Sequence, residues 1–189
     1  MTPHRPARPL DVYLNDHLTG AFGGAALARR MAGAHNGAHD DTHDGGHRAA
    51  GLRRLAADIE QDRDDLVRIM RRLDVPVHRY RTWLGLAGER IGRLKPNGTL
   101  LRRSPLSDLV ELEAMRAGVT GKRALWDALL AVADDDPRLD KDHLDRLAGR
   151  ARAQARTLDA WHGAVSAGVL GRPAPAGSGG RPGSGRTAR

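Results

Sequence analysis

The sequence predicts an all-α fold: an antiparallel up-and-down bundle of about five helices. Three observations predict it. Apolar residues recur at three- and four-residue spacing over long windows. Hydrophobic residues reach 40%, mostly Ala and Leu, and aromatics only 3%, which is poor material for the alternating Val, Ile, Tyr and Phe of a sandwich or barrel. The 189 residues suffice for one domain with a real core and are too few for two comfortable ones.

Each element has its own warrant. Residues 1–9 read as a disordered N-terminus before a bundle domain over 10–170. A first helix over about 10–32 places Leu10, Leu14, Leu18, Ala21, Ala25 and Ala28 on one face. A second over about 50–74 carries Leu52, Leu55, Ile59, Leu66, Ile69 or Met70, and Leu73, close to a heptad seam, and Pro76 stops it. A third over about 78–94 carries Tyr80, Trp83, Leu84, Ala87, Ile91 and Leu94, and a Pro-Asn-Gly turn at 96–98 closes it. Between long neighbours, this third helix reads as a crossover rather than a full bundle member. Ser104-Pro105 is an N-cap followed by Pro at the first helical position, opening a fourth helix. Gly118 and Gly121 predict a weak point or kink in it, before Leu125, Trp126, Leu129 and Val132. Three aspartates and Pro137 break the chain. A fifth helix covers about 140–169, with Leu144, Leu147, Ala151, Leu158, Val165 and Val169 on its face.

Two stretches are low in complexity. Residues 33–49, rich in Gly, His and Asp, read as a flexible connection. Residues 171–189 hold nine Gly or Pro among 19 and read as a disordered tail.

Composition excludes several functions. With no cysteine there are no disulfides, thiolate metal sites or thiol catalysis. No apolar h-region follows residues 1–9, and the longest apolar stretches are far too short to span a bilayer, so the expected place is the cytoplasm, with no membrane partner. The formal charge is +8, but residues 10–170 hold 25 basic and 23 acidic residues and carry only +2. The basicity belongs to the tails, and Arg outnumbers Lys 28 to 3, a pattern of GC-rich codon usage. Nucleic-acid binding through those tails is therefore a lesser alternative. No dinucleotide or nucleoside-triphosphate phosphate loop and no nucleophile elbow is present.

The informative residues are polar ones on apolar faces. His17 falls among Leu10, Leu14 and Ala21. Asp62 occupies the seam between Ile59 and Leu66. Glu113 falls near Leu109, and Gln154 and His162 lie on the Leu147–Leu158 face. Arg63 and Arg90 sit at the edges of their arcs. A buried carboxylate needs a cation, a donor set or a metal. His17 and the flanking arginines are the expected partners of Asp62 and Glu113. Three readings stay open: a divalent transition-metal or proton site built from His17, Asp62, Glu113 and His162; a ligand-free network that fixes register; or rim positions.

Di-iron bundles use Glu-x-x-His. That spacing is absent here, while Asp-x-x-His occurs at Asp40/His43, Asp44/His47, Asp140/His143 and Asp159/His162. A second metal candidate is the ladder His35, His39, His43 and His47, whose four-residue spacing would line one helical face. The glycines around it oppose a stable helix.

Five motifs carry a resemblance: Tyr-Leu-Asn-Asp-His-Leu at 13–18, Ile-Glu-Gln-Asp-Arg at 59–63, Gly-Arg-Leu-Lys-Pro-Asn-Gly at 92–98, Ser-Pro-Leu at 104–106 and Glu-Leu-Glu at 111–113. Together they resemble an uncharacterised actinobacterial helical-bundle family, ferritin-like in topology, over about residues 10–170. The resemblance implies fold and compartment and transfers no activity. The expected function is a structural or protein-interaction module without catalysis, working as a homodimer or with a protein partner. The alternative is a metal-binding ferritin-like protein.

Overall fold

The structure is a computed structural model and describes residues 8–36, 43–77 and 105–171. The described residues form four helices and no strand: α1 (Pro9–Asn36), α2 (His43–Arg72), α3 (Pro105–Ala131) and α4 (Lys141–Leu170). None is long and apolar enough to cross a membrane. The expected helix over 78–94, with Arg90, lies outside the described residues, as do residues 1–7 and 172–189, while Pro9, expected in the N-terminal tail, already belongs to α1.

Local chemistry sets the helix ends. Pro9 opens α1, where its missing N–H costs nothing. Asp11, in that first turn, takes the Arg8 backbone N–H at 3.3 Å and its guanidinium at 2.8 Å. The end of α2 is a Schellman turn. The Val75 N–H donates to the Met70 carbonyl and that of Asp74 to the Arg71 carbonyl, with Asp74 in the left-handed region at φ 54°. Arg8 and Arg138 both donate to the Leu73 carbonyl. Asp140 caps α4 by accepting the His143 N–H at 2.9 Å.

Two helix bounds differ from the sequence reading. Both α1 and α2 run into the Gly/His/Asp tract, because Met31, Ala32, Ala49 and Leu52 are buried and carry the helices past their glycines. Likewise α3 is continuous through Gly118 and Gly121. Buried Met115, Val119, Leu125 and Trp126 hold it on both sides of that weak point.

Inter-helix contacts fix the chain directions. Arg8 meets Leu73, and Arg29 meets Glu60 at 2.6 Å, so α1 and α2 are antiparallel. Glu113 meets His162 and Arg152 meets Asp127, so α3 and α4 are antiparallel. Arg30 meets Glu111 near one end, while Leu14 and Leu18 share a cluster with Trp126 and Leu129 near the other, so α1 also opposes α3. The C-terminal end of α2 and the N-terminal end of α3 therefore lie at opposite ends of the bundle.

The core falls into two apolar clusters. One packs Leu14, Leu18, Leu66, Met70, Trp126 and Leu147. The other packs Ala28, Met31, Leu52, Leu112, Met115 and Leu158. Between them lies a layer that is polar on three helices and nearly empty of side chains on α1.

Candidate functional site

Heptad spacing on α2 puts Asp62 between Ile59 and Leu66, hence inside the bundle. It is 1% exposed, as is Asp65 one turn later. Their partners come from the other pair of helices. Lys122 Nζ of α3 donates to Asp62 Oδ2 and to Gln154 Oε1, both at 2.5 Å. Gln154 Nε2 of α4 closes this triangle on Asp62 Oδ2 at 3.2 Å. Arg150, one turn before Gln154, donates through Nε to Asp62 Oδ1 at 2.6 Å and through Nη2 to Asp65 Oδ2 at 2.8 Å. Asp65 Oδ1 is also met by Arg68 and, at 3.2 Å, by His143 Nε2. Two buried carboxylates thus face two inward cations and an amide, so neither charge is left uncompensated. Burial pulls the Lys122 ammonium below its usual pKa, against the opposing pull of Asp62. Burial also works against the charge on Arg150, but the two aspartates outweigh it and raise its pKa.

The same layer is open on its other side. At mid-bundle α1 contributes Gly20, Ala21, Gly23 and Gly24, and the facing strip of α3 contributes Ala114, Gly118 and Gly121. A cleft of about 460 Å³ lies between the two helices, floored by α2. Exposed Asp16, Gly20 and Gly118 stand at its mouth, and buried Asp62, Leu66 and Trp126 at its base. Beyond its own turn of helix, a Cβ added at Gly20, Gly23, Gly24, Gly118 or Gly121 would meet no atom of the described residues within 4 Å. Among the described residues the buried indole Nε1 of Trp126 meets no acceptor, a condition that costs about 1–3 kcal/mol.

The sequence-predicted residues are distributed as follows. His17 and Asp62 both line the cleft. His17 is not a partner of Asp62 in the network: it packs edge-on against Tyr13, with ring centroids 4.5 Å apart. Burial lowers its pKa, with Asp16 pulling the other way. Arg63 bonds Asp64 at 2.7 Å and lies over the Phe22 ring, also apart from Asp62. Glu113 is exposed and pairs with His162 at 3.3 Å, a separate contact on the α3–α4 surface. Gln154 is buried in the network, as its helix face implies. Of the histidine ladder, His35, His43 and His47 fall within helices, His47 exposed, while His39 lies outside the described residues. Among the described residues no group of three or more His, Cys, Asp or Glu is placed to hold a metal ion.

Sequence reasoning missed Asp65, Lys122 and Arg150, and had Trp126 only as an apolar residue of the fourth helix. A signal existed for Lys122. It lies three residues from both Val119 and Leu125 on the buried face of α3. Arg150 similarly follows Leu147 by three and precedes Gln154 by four.

Comparison with known proteins finds no matching family, no matching characterised protein and no matching solved structure.

Proposed function

We propose that this chain is a non-catalytic binding module whose mid-bundle polar residues specify packing and whose cleft serves recognition. One observation carries the reading. The Asp62 carboxylate, where a metal-binding bundle would place a ligand, accepts instead from Lys122, Arg150 and Gln154 of two other helices. Such a network fixes helix order and register, because a shift of either helix along its axis strands a buried charge.

The arrangement is ferritin-like in this reading. Supporting it are the antiparallel pairs α1/α2 and α3/α4 and the separation of the α2 and α3 ends, which suit a bundle with one long crossover. The resemblance carried by the five motifs points the same way.

The test is metal content by mass spectrometry on the full chain, with His35, His39, His43 and His47 changed to Asn so that the ladder contributes nothing. The expected result is only trace iron, manganese or zinc. One or two equivalents that disappear in Asp62→Asn would instead make the layer a metal centre.

A further inference from the structure

The chain that joins α2 to α3 has both ends fixed beside α1. At its start the Pro76 carbonyl accepts from Asn15 Nδ2 of α1 at 3.1 Å, so Val77, apolar and 40% exposed, leaves α2 along the first half of α1. At its end Pro105 opens α3 near the far end of α1, where Glu111 meets Arg30. Residues 78–104 therefore travel the length of the bundle in the same direction as α1. The groove between α2 and α4 is already crossed by the ion pairs of Arg150 and His143 with Asp62 and Asp65. The groove between α1 and α3 is open, and its cleft begins at Asp16, next to the Asn15 that holds Pro76.

Length and pattern agree with that route. From Asn15 to Arg30, α1 rises about 22 Å, and the helix that apolar spacing predicts over 78–94 is about 25 Å long. Residues 95–104, with the Pro-Asn-Gly turn, remain to reach Pro105. Tyr80, Trp83, Leu84, Ala87, Ile91 and Leu94 share one face. The cleft offers an apolar wall from Leu27, Ile59, Leu66, Met115, Val119 and Leu125. Protein interiors pack to near crystal density, so about 460 Å³ at mid-bundle calls for side chains. Charge agrees as well. Asp62 and Lys122 cancel at the base, the exposed acid at the mouth is Asp16, and residues 78–94 hold Arg79, Arg81, Arg90 and Arg93 against Glu89 alone.

We propose that residues 78–94 of this chain dock as a helix in the cleft between α1 and α3, parallel to α1, with the face from Tyr80 to Leu94 turned to the bundle. This deepens the binding-module reading by naming what the cleft recognises, and rests on it. Counted from Val77 beside Asn15, Trp83, Leu84 and Ala87 fall level with the stretch from Gly20 to Gly24. Glycine there, and at Gly118 and Gly121, lets a fifth helix approach closely.

The experiment uses the full chain, which has no cysteine of its own. Gly24→Cys combined with Ala87→Cys should form a disulfide within one chain on mild oxidation, at least about tenfold faster than Gly163→Cys combined with Ala87→Cys, since Gly163 is exposed on α4 outside the cleft. Trypsin should cut the wild type at Arg79, Arg81, Arg90 and Arg93 about tenfold more slowly than Ile91→Asp, whose helical circular dichroism should stay close to that of the wild type. Equal cleavage of the two proteins would overturn the docking. Equal oxidation rates of the two pairs would overturn its place in this cleft. A disulfide between two chains would seat a second copy's residues there and overturn the assignment to the chain's own segment. Metal bound at Asp62 would defeat the parent reading. Metal-free protein without the disulfide would defeat only this inference.

Discussion

The middle layer of this bundle has two sides built on opposite rules. On the side facing α4, every inward polar group is answered. Asp62 and Asp65 meet Lys122, Arg150 and Gln154 at hydrogen-bonding distance. On the side facing α1, side chains have been withheld: glycines replace bulk and a cleft of about 460 Å³ remains. The apolar clusters above and below are filled by Leu, Met and Trp. The contrast shows how one layer can be closed by charge on one side and left open on the other. The ionic side ties α2 to α3 and α4, so α1 need not complete the packing there.

The largest expected effect comes from breaking the closed side. Asp62→Leu leaves Lys122 and the inner end of Arg150 as buried cations without their carboxylate. It should lower stability by about 3–5 kcal/mol in urea unfolding. A change below about 0.5 kcal/mol would place Asp62 at a solvated rim.

The open side should respond to a single methyl. Against the described residues alone, Gly24→Ala and Gly118→Ala would each stabilise by about 0.5–1 kcal/mol, because the new methyl meets nothing there and unfolded-chain freedom falls. With residues 78–94 packed onto these glycines, both should instead destabilise by about 1 kcal/mol or more, as Gly51→Ala should, where the Cβ would press on Trp161. Thermal unfolding of the three variants checks the signs. Stabilisation at Gly24 and Gly118 would mean that the cleft stays empty in solution.

Outside the layer, Asp74→Gly should stabilise the end of α2 by about 1 kcal/mol, because Asp74 holds a positive φ that glycine adopts freely. A loss of stability would mean that its ion pair with Arg138 outweighs the backbone gain.

The smallest effect concerns pH. His17 has a lowered pKa in the folded chain, so the unfolded chain binds its proton first as pH falls. Its contribution to stability is therefore full above the unfolded value near 6.5 and is lost as pH drops from there through the folded value. The wild-type stability, compared with that of His17→Gln, should fall more over that window. Parallel curves would mean that burial does not perturb His17.

Much of this contrast was legible in the residues. The helix class, the break near Asp134–Pro137 and the place of Asp62 and Gln154 on apolar faces follow from periodicity, which left open whether they are buried or at the rim. The partners were not legible. The sequence reading weighed His17 and Arg63 against Asp62, and the structure supplies Lys122 and Arg150. Periodicity says which face a residue occupies. It does not say which helices face each other, and Asp62 is 60 residues from Lys122 and 88 from Arg150. The long lysine stem also hides its role. Near the edge of an apolar arc it reads as solvated, yet it can reach inward along apolar surface. The cleft was equally hidden. Gly118 and Gly121 read as a weak point in one helix, and only the pairing of α1 with α3 turns two glycine strips into one space.

The most direct test of the central claim is a double-mutant cycle on Asp62 and Lys122, measured by urea unfolding of the wild type, Asp62→Leu, Lys122→Met and the double variant. If the layer is a self-neutralising network, Asp62→Leu leaves the Lys122 ammonium with only the Gln154 amide, and Lys122→Met leaves Asp62 with Arg150 and Gln154 alone. The double variant should then be more stable than the sum of the single losses allows, by about 2–3 kcal/mol. Losses that add to within about 0.5 kcal/mol would contradict the account, because the two side chains would then not be answering one another.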